Sequence, residues 1–216
     1  MSDTFLLATR VPMSRENFER WLAAPVPGRG AISNPEAMFD GWLWDGRRVE
    51  GEWDIAAEGG TPREFFADRV ERSCTGDPAL TVLLYRDGAL EAYLGDMGYD
   101  QWSMHMAMRI FASAGPFKSD PEEDAVLFWA ETGGNLCAPD WPGRLSVLLV
   151  GEDHARFTSA LDLTGPVTAL RPAEDAFFAM IGQTGKEEES WDWNSGSPFR
   201  CEAPRAPSFI DPSVLA

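Results

Sequence analysis

Apolar side chains recur along this chain with two periods, and the switches between them divide it into elements. "TFLLATRV" at residues 4–11 is an apolar run of strand length. Ser14 is placed to cap a helix through "RENFERWLAA", with Phe18, Trp21 and Leu22 at helical spacing and Pro25 ending it. Residues 25–41 form a Pro/Gly-rich connection, long enough to be a functional loop or a cover over the core. "DGWLWDGRRVEGEWD" then reads as a hairpin, because Asp45-Gly46 supplies the positive φ angles of a tight turn. On its second arm Val49, Gly51, Trp53 and Ile55 alternate with Arg48, Glu50, Glu52 and Asp54. That period of two predicts a ribbon with one face in the sheet core and the other charged and wet.

Thr61-Pro62-Arg63-Glu64 is a capping box with proline at the first helical position, opening "PREFFADRVERSC". A second hairpin, "ALTVLLYRDGALEAYL", turns at Asp87-Gly88, and its almost wholly apolar first arm predicts a central strand. Asp100 can cap "QWSMHMAMRIFASA", which Gly115 and Pro116 stop; apolar nearly all round, this helix should be buried on more than one side. Strands follow at 125–131 and 144–151, a turn near Glu152-Asp153, a returning strand from His154, and a last helix from about Pro172. The order βαββαββαβββα has more hairpins than crossovers. It predicts an α+β fold: one domain, a largely antiparallel sheet, helices packed on one face. Residues 4–86 taken alone have the ferredoxin-like order. The core domain is assigned to residues 1–183. Residues 184–216 form a Pro/Gly/acidic segment that carries Trp191, Trp193, Phe199, Phe209 and Ile210, too many large apolar groups for a free tail. It is expected to lie across the body in extended form, frayed in its last residues.

Composition changes the picture mainly through charge. Hydrophobic content of 44% places the chain among globular proteins rather than disordered ones. Thirty-five acids against 18 bases give a net charge of −17. Such a field repels nucleic acid and anionic membrane surfaces and attracts basic partners, besides aiding solubility. No apolar run approaches the about 18 residues of a spanning helix, and the start lacks a basic region before its short apolar stretch, so a cytoplasmic location is expected. Cys74, Cys137 and Cys201 are odd in number and widely spaced, which argues against a disulfide framework; without a C-x-x-C pair no metal site is expected.

Little else suggests catalysis. Cys137 in "GGNLCAPDW" could be a nucleophile with His154 as base and Asp140 or Asp153 as orienter, Gly133 and Gly134 offering backbone amides to an oxyanion. The spacing matches no local signature, and acidic surroundings raise a thiol pKa. His105, between Met104 and Met106, reads as a packed histidine unless its helix lines a cleft. "SDPEED" lacks the spacing and turn glycine of a calcium loop and reads as a solvated turn, as do Glu187 to Glu189. Phosphate-binding loops are absent, and no cofactor is expected.

What remains is a pattern of aromatics beside acids, in "GWLWDG", "EGEWD", "GYDQW", "CAPDW" and "EEESWDW". Interfaces favour tryptophan anchors, and carboxylates complement Lys and Arg. Charge is also uneven: Asp120, Glu122, Glu123, Asp124, Glu131 and Asp140 fall in a stretch without Lys or Arg, and residues 36–58 hold seven acids against Arg47 and Arg48. Together these segments would make a concentrated negative patch. In general make-up the chain resembles the immunity proteins of bacterial polymorphic toxin and secretion systems, on the strength of "GWLWDG", "EGEWD", "CAPDW" and "EEESWDW" and the lack of a catalytic set. The resemblance implies a non-enzymatic inhibitor that neutralises a basic cognate toxin, a nuclease or another basic enzyme, by plugging its cleft. The expected contact residues are Trp44, Glu50, Glu52 and Asp54 on the hairpin and Trp191, Asp192 and Trp193 in the tail. Two alternatives are a small hydrolase using Cys137 and His154, and a structural or assembly subunit.

Overall fold

The computed structural model describes residues 4–40, 43–44, 47–48, 59–75, 81–94, 101–131, 145–158 and 210–216. They form an α+β fold with a six-stranded antiparallel sheet and three α-helices. In chain order these are β1 (Thr4–Pro12), α1 (Arg15–Ala23), β2 (Leu43–Trp44), β3 (Arg47–Arg48), α2 (Pro62–Thr75), β4 (Thr81–Arg86), β5 (Ala89–Leu94), α3 (Gln101–Ala112), β6 (Asp124–Glu131), β7 (Leu145–Val150) and β8 (Ala155–Thr158). The order expected from the sequence is thus met as far as β8; the last helix lies outside the described residues.

Local signals explain the element starts. The Ser14 side chain accepts from the Asn17 backbone N–H at 3.1 Å, capping α1. At α2 the capping box is reciprocal: the Thr61 N–H donates to Glu64 Oε2 at 2.8 Å, and the Glu64 N–H donates to Thr61 Oγ1 at 3.2 Å. Between β4 and β5, Asp87 (φ 50°) and Gly88 (φ 72°) make the two-residue turn with both φ angles positive.

The strand order is β4-β5-β1-β6-β7-β8, every neighbour antiparallel. Two sequence expectations are corrected here. The β2–β3 hairpin is a separate two-stranded ribbon, pairing Leu43 with Arg48 and Trp44 with Arg47, so the ferredoxin-like arrangement of residues 4–86 does not form. β1 pairs instead with β5 and β6, strands that come later in the chain. And β4 is an edge strand, not a central one.

The helices pack on the sheet face that carries Leu7, Val11, Leu90, Leu94, Val126, Phe128, Leu148 and Val150. Against it lie Phe18, Trp21 and Leu22 of α1, Phe66 of α2, and Met104, Met108, Ile110 and Phe111 of α3. Trp21 is the hub: its ring centroid is 6.0 Å from Phe18, 6.2 Å from Phe66 and 6.2 Å from Phe111. Its indole N–H donates to Ser113 Oγ at 3.0 Å, so the polar handle is satisfied inside the core. From Ser103 to Gly115 every residue is buried, as an all-round apolar helix requires. Arg109, 2% exposed, is held there by donating from Nε and Nη2 to the Pro27 carbonyl at 2.9 and 2.6 Å.

The opposite sheet face is buried too, at Ala8, Val82, Tyr93, Leu127, Val147 and Leu149. Burial on both faces is why these strands read as continuous apolar runs rather than alternations. Glu91, on that face, sits between Arg10 (3.3 Å) and Arg86 (2.7 Å).

Both sheet edges are covered. Along β8, the Ser33 N–H donates to the Ala155 carbonyl at 2.9 Å, Asn34 Nδ2 donates to the Phe157 carbonyl at 3.0 Å, and the Phe157 N–H donates to Asn34 Oδ1 at 2.7 Å. Along β4, Ile210 forms a parallel bridge with Leu83, and the Asp211 N–H donates to the Leu83 carbonyl at 2.7 Å. Such cover blunts the aggregation hazard of an open edge. The chain end corrects the expectation of fraying: Ile210 and Val214 are buried, and Arg63 Nη1 donates to the Ala216 backbone oxygen at 2.7 Å.

Candidate functional site: an acidic corner at one end of the sheet

Register brings two acidic turns together. Asp124, the first residue of β6, pairs with Val150, the last of β7, and Val150 pairs with Ala155, the first of β8. The lead-in to β6 (residues 118–123) and the β7–β8 turn (151–154) therefore meet at one corner. They approach closely: a Cβ on Gly115 would fall 2.2 Å from the Gly151 carbonyl oxygen, so only glycine fits. The lead-in is anchored by the Ser119 N–H, which donates to the Pro12 carbonyl at 2.9 Å, and shaped by Asp120 Oδ1, which accepts from the Glu122 N–H at 3.1 Å.

Six carboxylates gather there: Asp120, Glu122, Glu123, Asp124, Glu152 and Asp153. Glu122, Glu123, Glu152 and Asp153 are exposed. Beneath them lies Lys118, whose side chain is fully buried and whose ammonium pairs with Asp124 and lies 4.0 Å from Asp120. Burial pushes the Lys118 ammonium below the ordinary lysine value, against the pull of Asp120, Glu152, Glu122 and Glu123.

His154 joins the two turns. Its Nδ1 lies 2.8 Å from Asp153 Oδ1 and its Nε2 lies 3.0 Å from Glu123 Oε1. Arg156 adds a fork on Glu123, with Nε donating to Oε1 at 3.2 Å and Nη2 to Oε2 at 3.0 Å. Hydrogen bonds to Asp153 and then Glu123 raise the imidazole above the ordinary histidine value. For Glu123, partial burial works upward, but the hydrogen bonds from His154 and Arg156 outweigh it and hold the carboxyl below its usual range. The hydrogen bond from His154 likewise lowers Asp153.

Of the residues expected at the partner-binding surface, Trp44 lies in β2 opposite Arg47. Glu50, Glu52, Asp54, Trp191, Asp192 and Trp193 lie outside the described residues, as do Cys137 and Asp140. The structure does bring Asp153 onto His154, the base–orienter pair of the hydrolase alternative. It also places Glu123 on the nitrogen that such a mechanism would need free. His105 is fully buried, its ring 6.2 Å from Phe39. No three His, Cys, Asp or Glu side chains are placed to hold a metal ion among the described residues. None of their helices is long and apolar enough to cross a membrane.

The cluster Glu123–His154–Arg156 was not singled out from the sequence, although both halves, "SDPEED" and "EDHAR", are recognisable as charged turns. Of the other acidic stretch, residues 36–58, the exposed Glu36 lies on the short 3-10 helix Pro35–Phe39, which packs against β7 and β8. No known family model, curated protein or solved structure was found to match this chain.

Proposed function

We propose that this is a non-enzymatic binding protein of the cytoplasm that uses an acidic surface to neutralise a basic protein partner, in the manner of an immunity protein that blocks a cognate bacterial toxin. One observation carries the reading: in a chain of net charge −17, the register of β6, β7 and β8 concentrates six carboxylates at one solvent-facing corner. Like charges so gathered repel one another, and a cationic surface docking there relieves that repulsion while gaining attraction. Carboxylates so placed can stand in for substrate phosphates in the cleft of a basic enzyme. The hydrolase alternative gains less support, because both nitrogens of His154 already face carboxylates and neither is left to take a proton from a thiol.

The test is protection of a host cell from the product of the neighbouring reading frame, with the charge-reversed variant Glu122→Lys/Glu152→Lys/Asp153→Lys alongside. Protection by the wild type and its loss in the variant are expected, together with an association rate that falls steeply with salt. A neighbouring product that is harmless, or a complex whose formation is indifferent to both salt and charge reversal, overturns the proposal.

A further inference from the structure

His154 occupies an arrangement that a neutral imidazole cannot satisfy. Both carboxylates at its ring nitrogens are hydrogen-bond acceptors, 2.8 Å away at Asp153 and 3.0 Å at Glu123. A neutral ring carries one N–H, so one of the two contacts would set a lone pair against a carboxylate oxygen; only the imidazolium donates to both. The ring is also held in place from below. A Cβ on Gly151 would lie 2.5 Å from its Cε1, and the Gly151 N–H closes the turn by donating to the His154 carbonyl at 2.9 Å.

We propose that His154 is a proton-operated latch: protonated, it ties the β7–β8 turn to the lead-in of β6, and on losing its proton it releases one of the two carboxylates and leaves the corner one unit more negative. The charged groups around it are Glu152 and Asp153 on its own turn, Asp120, Glu122, Glu123, Asp124 and Lys118 on the β6 side, and Arg156 on β8. Arg156 keeps its fork on Glu123 in either state, so the contact released is that of His154 and not the whole corner. Asp153, whose side chain is 91% exposed, is the carboxylate freed most easily. That a more negative corner holds a basic partner better rests on the function proposed above. On that footing the latch makes docking stronger as pH rises through the histidine's own midpoint.

The experiment follows the imidazole resonances of the full chain by NMR as pH is raised, assigned with His154→Gln, because the only other histidine, His105, is fully buried. The His154 midpoint is expected above the ordinary value of about 6.5. It should fall towards that value in Glu123→Gln, in Asp153→Asn and in Gly151→Ala, the last of which displaces the ring without removing any charge. A midpoint at or below about 6.5, or one indifferent to all three substitutions, overturns the latch. Binding of a hexalysine peptide, measured across the same pH range at low salt, reads the consequence separately. Its affinity should tighten by about two- to fivefold through the midpoint in the wild type, the effect of one unit charge a few ångströms away in water. In His154→Gln it should stay flat. A raised and substitution-sensitive midpoint with flat peptide affinity in both proteins upholds the latch and counts against the docking reading alone.

Discussion

Arg15 and Asp211, 196 positions apart in the chain, meet in a two-point ion pair, Nη1 on Oδ2 at 2.5 Å and Nη2 on Oδ1 at 2.8 Å. The pair fastens the chain end beside the β4 edge, where the Asp211 N–H also bonds Leu83. Asp211 in addition caps the short 3-10 helix Pro212–Val214, its Oδ1 accepting from the Ser213 N–H at 3.0 Å and from the Ser213 hydroxyl at 2.7 Å.

Substituting Arg15→Ala is expected to destabilise the fold by about 1–3 kcal/mol, the range for hydrogen bonds to charged groups, at the lower end because the Arg15 side chain is 41% exposed. Denaturant melts give the change in stability, and hydrogen exchange at Leu83 and Asp211 should quicken with it. Unchanged exchange there would show that the chain end docks without this pair.

Asp211 gives the acid side of the stability profile. Burial works to raise its carboxyl, but hydrogen bonds from Arg15 and Ser213 prevail and hold it below the ordinary value. A carboxyl lowered in the folded state adds stability that is complete above its unfolded value, about 3.9, and is lost as pH falls through the folded one. The stability gap between wild type and Asp211→Asn should therefore narrow as pH drops below about 4, and be constant from there to neutrality. A gap that widens in acid would reverse the sign assigned to Asp211.

Asn34 acts as a one-residue substitute strand for β8, both donating to and accepting from Phe157. Asn34→Ala should cost about 1–3 kcal/mol and, by baring the edge, raise concentration-dependent association at low denaturant, readable by light scattering. Asn34→Asp keeps the acceptor for the Phe157 N–H and loses the donor, so it should fall between the two. An Asn34→Ala protein as stable and as monodisperse as the wild type would remove the edge-guarding role.

The core and the α2 cap give the remaining magnitudes. Phe111→Ala empties the space between Trp21 and Phe66 and should cost about 3–5 kcal/mol. Thr61→Ala breaks one half of the reciprocal cap and should cost about 1 kcal/mol, most of it restored by Thr61→Ser. Equal losses at the two positions, measured by urea melts with unchanged slope, would contradict the burial difference between them.

Legibility in the sequence followed the range of the interactions. The Ser14 cap, the Thr61–Glu64 box and the Asp87-Gly88 turn involve residues within a few positions of each other, and each is formed as the local pattern implies. The apolar run of β4 predicts a central strand, yet β4 lies at the edge, because such a run records burial on both faces and says nothing of the edge, which Ile210 covers from the far end of the chain. The ferredoxin-like order failed for a related reason: hairpin chemistry at Asp45-Gly46 specifies that two arms pair, not which sheet they join. At the corner, the charge of "SDPEED" and "EDHAR" was plain, while the meeting of Glu123 with His154, 31 positions away, depended on the register of three strands.

The sequence by itself determined the succession of strands and helices as far as β8, the caps at Ser14 and Thr61–Glu64, the Asp87-Gly88 turn, the α+β class and the strongly negative charge, because backbone preference, side-chain period and ionisation act over a few neighbouring residues. Only the tertiary structure decided the strand order, the covering of both edges, the seat of Asp211 on Arg15 and the gathering of six carboxylates at the corner where Asp153 and Glu123 meet His154. Those outcomes turn on which distant surfaces bury each other best, a competition among long-range pairings that no local stretch of chain encodes.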